Sequence, residues 1–150
     1  MKISAIIILM FVSAFFTGCN KDTDNSVTTP SAYKGTWIIN SYTYVNSTVD
    51  SINVSLNMDG NNGVLTGTGT IVHGTNKTGS TVVQSISGNI AGGYNSTSIS
   101  LTVTDKTTSN RFVYSGTQQQ STTLSYVGTA IIYTSTDTTL LGQLTFFKGS

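Results

Sequence analysis

Strict alternation of apolar and polar residues is the clearest pattern in the chain. Ile52, Val54, Leu56 and Met58 alternate with Ser51, Asn53, Ser55 and Asn57, bounded by Asp50 and Asp59. Period two over this length marks a strand with one buried face. Gly60-Asn61-Asn62-Gly63 follows and has the composition of a tight hairpin turn. The same rule places strands near 35–44, 64–72, 80–90, 96–104, 110–116, 122–133 and 139–147, and no segment has helical periodicity. Eight short strands joined mostly by tight turns predict one all-β domain over 35–150, an antiparallel up-and-down barrel, because closure removes unpaired edges. A β-sandwich is the competing arrangement. Gly67 and Gly69, set among Thr66, Thr68 and Thr70, suit the sharp coiling of a small barrel.

The first residues follow a different pattern. After Met1-Lys2 the chain is apolar from Ile3 to Phe16, interrupted only by Ser4 and Ser13. One positive charge before a short apolar stretch is the layout of a secretory signal peptide. A membrane-spanning helix would need about 20 apolar residues, more than this run supplies. Phe16-Thr17-Gly18-Cys19 then resembles the lipobox of bacterial lipoproteins, where small residues precede a cysteine that is acylated and becomes the new N-terminus. The resemblance implies a signal peptide over 1–18, lipidation (palmitate included) at Cys19 and residence at the outer membrane. An ordinary cleavage site with an incidental cysteine is the alternative. Two or more acyl chains anchor a protein stably where one does not. Asn20-Lys21-Asp22 resembles surface-export signals of Bacteroides-type lipoproteins, which leans the reading towards the cell surface. Residues 19–34 are polar and contain the only proline, as expected of a flexible tether.

Composition narrows the function classes. Cys19 is the only cysteine, so the mature domain has no internal disulfide and stands on its core. Seven basic and six acidic residues, with Lys2 inside the leader, leave the remainder balanced. That balance argues against nucleic acid, which demands an accumulated positive field. One histidine, no glutamate and scattered aspartates favour neither catalysis nor a metal centre, and no cofactor is expected. The expectation is a protein that is not an enzyme.

Gly35-Thr36-Trp37 opens the first strand and resembles the Gly-x-Trp signature of lipocalins, as found in small lipocalin-like lipoproteins of Bacteroides-type bacteria. The resemblance implies a barrel plugged at one end by Trp37 against a basic residue of the last strand, the position of Lys148. It also implies a cup for a small hydrophobic ligand.

Up-and-down topology sorts the loops. Trp37 and the tether mark the closed end. The open end takes loops 45–50, 73–79, 105–110 and 134–138, which hold Asp50, His73, Lys77, Asp105, Lys106 and Asp137, with Arg111 just beyond. The mouth is thus expected to face away from the membrane. Phe112, Tyr114 and Tyr126 fall on the inner face, either as an aromatic cup for an apolar molecule or as plain core. Asp50-Ser51-Ile52 and Asp137-Thr138-Thr139 resemble the O-glycan attachment sites of Bacteroides-type exported proteins, which makes Ser51 and Thr138 candidate acceptors. Two functions follow: capture of a small hydrophobic ligand, or contact with another envelope protein by a filled barrel.

Overall fold

A computed structural model describes residues 31–45, 48–77, 80–120 and 124–149. The expected signal peptide, Cys19 and most of the tether lie outside these residues. Eight strands follow in order: β1 Gly35–Val45, β2 Thr48–Asn61, β3 Val64–Lys77, β4 Ser80–Tyr94, β5 Ser98–Asp105, β6 Arg111–Gln118, β7 Ser125–Tyr133 and β8 Thr138–Lys148. Each pairs antiparallel with the next, and β8 returns to β1, closing an up-and-down barrel. The alternation in β2 does what its period requires. Ile52, Val54, Leu56 and Met58 are buried while Asn53, Ser55, Asn57 and Asp59 face solvent. The β2–β3 hairpin turns through Asn62 (φ 50°) and Gly63 (φ 80°). Two successive positive φ values give the primed turn whose twist matches a hairpin.

The wall is uneven. β2, β3 and β4 run 14, 14 and 15 residues, whereas β5, β6 and β7 run 8, 8 and 9. β5 pairs with β4 only from Gly88 to Tyr94. The β1–β4 side therefore projects past the β5–β8 side at the open end, by about 25 Å for the eight residues of β4 involved. Residues 73–77, expected as loop, are the end of β3 and pair with 80–84 of β4. The loop expectation rested on lost apolar alternation, but ladder hydrogen bonds need no apolar side chains. The expected 45–50 loop likewise contracts, because β1 reaches Val45 and β2 restarts at Thr48.

Closure itself is narrow. β1 and β8 share two register pairs, Trp37 with Lys148 and Ile38 with Phe147. A bulge between Ala130 and Ile131 shifts the β7–β8 register, with Gly142 at φ 76° taking up the bend. Gly67 has φ 146° in β3, and a side chain there would run into the Asn57 carbonyl of β2. Its missing Cβ lets the two strands approach where the wall bends.

The core fills the barrel from the β1 start to the β5–β8 rim. Trp37, Tyr114, Tyr126, Phe112, Phe146, Leu56, Leu65 and Leu101 are its largest fully buried members. Among the described residues, no buried side-chain nitrogen or oxygen lacks a hydrogen-bond partner.

Candidate functional site

Three places concentrate chemistry: the aromatic closed end, a polar patch on the inner side of the projecting wall, and a polar strip outside β2 and β3.

At the closed end Trp37 stacks on Phe146 with ring centres 5.1 Å apart and lies 6.1 Å from Tyr126. Tyr33, from the segment before β1, stacks on Trp37 at 5.9 Å and packs against Tyr94 at 4.0 Å. Its carbonyl accepts the Trp37 indole N–H at 2.9 Å, and its hydroxyl shares a 2.5 Å hydrogen bond with that of Tyr126. Lys148, beside Trp37 in register, donates its Nζ to the Ala32 carbonyl at 3.0 Å. The Lys148 ammonium thus pins the entering chain across the barrel end. This corrects the tether boundary: Ser31–Lys34 belong to the barrel, because Tyr33 is 7% exposed and completes the aromatic plug. Sequence reasoning missed Tyr33, since one aromatic ahead of the first strand carries no periodicity. The signal available was its position, two residues before Gly35-Thr36-Trp37.

The three residues weighed as cup or core are split between levels and sealed. Tyr126 and Tyr114 sit low in the barrel and Phe112 near the rim, paired with Val103 and Ile132. All are at most 1% exposed. The Tyr114 hydroxyl donates to the Tyr126 carbonyl at 2.9 Å, with the Leu144 carbonyl 3.3 Å away. Burial pushes the Tyr114 and Tyr126 phenols well above the usual tyrosine range, and the Tyr33 hydroxyl adds to the effect at Tyr126.

On the projecting wall, alternation turns Asp50, Ile52, His73, Thr75 and Gln84 to the inner side. His73 is buried at 5% exposure, and its Nε2 lies 2.6 Å from the Asp50 carboxylate. Thr75 Oγ1 is 3.4 Å from the same nitrogen, while Nδ1 faces Gln84 Oε1 at 3.4 Å. An aspartate–histidine couple activates a nucleophile only when the second ring nitrogen meets a hydroxyl. Here an amide occupies that place, so the cluster is a partly buried polar network rather than a charge-transfer triad. Asp105, at the end of β5, accepts hydrogen bonds from the backbone of Ser87, Thr107 and Thr108. Those donors hold its carboxyl far below the ordinary aspartate range. The Arg111 guanidinium lies over the Tyr133 ring at 5.2 Å.

Outside β2 and β3, three shallow depressions line up along the strands. Asn40, Ser51, Asn53 and Val72 line one of about 410 Å³. Ser55, Asn57, Thr68, Thr70 and Ser87 line the next, of about 230 Å³, and Lys34, Asn57, Asp59, Thr66 and Thr68 a third of about 260 Å³. Hydroxyls and amides dominate the strip. Ser51 lies within β2 rather than in a turn, and its hydroxyl donates to the Gly74 carbonyl at 3.2 Å. Thr138 opens β8 on an exposed corner, with its amide held by Asp137.

Comparison with known protein families, with curated proteins and with solved structures finds no match to this chain.

Proposed function

We propose that this chain is a lipid-anchored interaction module of the bacterial outer membrane, whose barrel is a solid scaffold that presents its outer surface to another envelope component. One observation carries the reading: Phe112, Tyr114 and Tyr126 are packed into the core at no more than 1% exposure. An eight-stranded barrel is just wide enough to be filled by its own side chains or to hold one small ligand, and these rings take the first course. Among the described residues, the buried polar side-chain groups are satisfied from within the chain, with no orphaned donor for a ligand head group. The inner side of the projecting wall sets Asp50, His73, Thr75 and Gln84 beside Ile52 and Val82, a mixed lining rather than an apolar one.

Anchoring and placement rest on the leader and on Cys19, outside the described residues. Ser31–Lys34 are held at the closed end, so on this reading the leash is 20–30 and the open end is expected to face away from the membrane. The lipocalin resemblance at Gly35-Thr36-Trp37 supports the scaffold, with Trp37 as its plug. Thr138 is the better placed of the two candidate glycan acceptors, being exposed at the outward end.

An environment-sensitive apolar dye tests the filled interior. The unmodified protein is expected to show no saturable binding. Saturable one-to-one binding by the unmodified protein would reject the scaffold reading and restore the hydrophobic-ligand reading.

A further inference from the structure

The projecting wall leaves one strand half-paired. β3 covers one side of β4 from Ser80 to Gly93, but β5 covers the other side only from Gly88 onward. Among the described residues, no strand pairs with Ser80–Ser87 on that side. The Ser87 amide donates to the Asp105 carboxylate at 3.0 Å, and its carbonyl accepts from the Lys106 amide at 3.4 Å. Odd-numbered residues of β4 therefore direct their backbone groups outward from β3. The register with β3 is unbroken, so Thr81, Val83 and Ser85 present in a row N–H and C=O groups that no strand among the described residues pairs with.

Natural sheets blunt such edges with lysine, proline, a bulge or a covering element. This segment, Ser-Thr-Val-Val-Gln-Ser-Ile-Ser, contains no charge and no proline, and its pairing with β3 runs without a bulge. Val82 and Val83 are 56% and 62% exposed. The last Asp105–Ser87 contacts stop the barrel ladder, and no strand among the described residues continues it along this edge.

We propose that this edge is a dimerisation surface on which a second copy of the chain pairs β4 with β4, antiparallel about a two-fold axis at Val83. The free groups sit symmetrically around that residue. Val83 then exchanges both backbone bonds with its own copy, and Thr81 does so with Ser85 of the second copy. The same axis brings the two exposed Val83 side chains opposite each other on the outer face, a favourable cross-strand pair. It sets Val82 opposite Gln84 on the inner face. No charge opposes the contact, and the segment is its own complement, which is the condition for an isologous interface. The inference is independent of whether the barrel interior is filled.

Disulfide trapping in the full-length chain tests it. A hydrogen-bonded antiparallel pair holds its Cα atoms about 5.5 Å apart, within disulfide reach. Val83→Cys is expected to give at least about tenfold more covalent dimer in cell envelopes than Val64→Cys, an equally exposed position at the far end of the barrel. Val83→Lys and Val83→Pro, which leave the β3 ladder intact, are expected to abolish chemical crosslinking of the otherwise unchanged chain. Equal trapping at 83 and 64, or crosslinking that survives Val83→Lys, would overturn the proposal. So would amides of Thr81, Val83 and Ser85 that are protected from exchange in a monomer, since another part of the same chain would then cover the edge.

Discussion

Trp37 is surrounded by Tyr33, Tyr126 and Phe146, with its indole N–H satisfied by the Tyr33 carbonyl. Because the ring is 0% exposed, Trp37→Ala leaves a cavity that the stacked rings cannot collapse into. The expected loss is about 3–5 kcal/mol of stability by urea unfolding. A loss below about 1 kcal/mol would mean that the plug contributes little. Tyr114 and Tyr126 give a second prediction, at alkaline pH. Their folded-state pKa values are raised above the free tyrosine value of about 10. The neutral form is thus favoured in the folded state, and this contribution is complete below pH 10 and declines as pH rises beyond it. Stability should fall above pH 10, and Tyr114→Phe should flatten that fall when melting temperature is followed against pH. An unchanged slope would contradict the sealed environment of the ring.

Element by element, the strand pattern was legible because half-buried strands must alternate, and β2 shows the rule in its purest form. The end of β3 was not legible. His73-Gly74-Thr75-Asn76-Lys77 reads as loop, yet it continues the ladder because the inner surface there is built from His73 and Thr75 in contact with Asp50 and Gln84. Periodicity reports a buried apolar face and is silent on a buried polar one. Gly67 could be read as a coiling device, and its positive φ and contact with the Asn57 carbonyl give that reading a geometric cause. Gly67→Ala should lose at least about 3 kcal/mol, from backbone strain combined with the clash. Chemical denaturation measures this, and near-neutral behaviour would show that β2 and β3 need not approach so closely.

For the whole molecule, strand count and turn spacing sufficed for the closed meander, while the uneven wall was hidden because strand length beyond the apolar run leaves no mark. The plug was half legible: Trp37 announced itself, whereas Tyr33 sat in a stretch that reads as tether. Cup and core could not be told apart from the sequence, since aromatic rings at strand spacing serve both. The packing of Tyr114, Tyr126 and Phe146 around Trp37 supports core. Native mass spectrometry of the full-length chain, purified from its own host without ligand exchange, tests this filled scaffold most directly. The expected mass is that of the polypeptide with any covalent modification it carries, and no non-covalent small molecule. A stoichiometric apolar ligand that leaves on mild activation would contradict it.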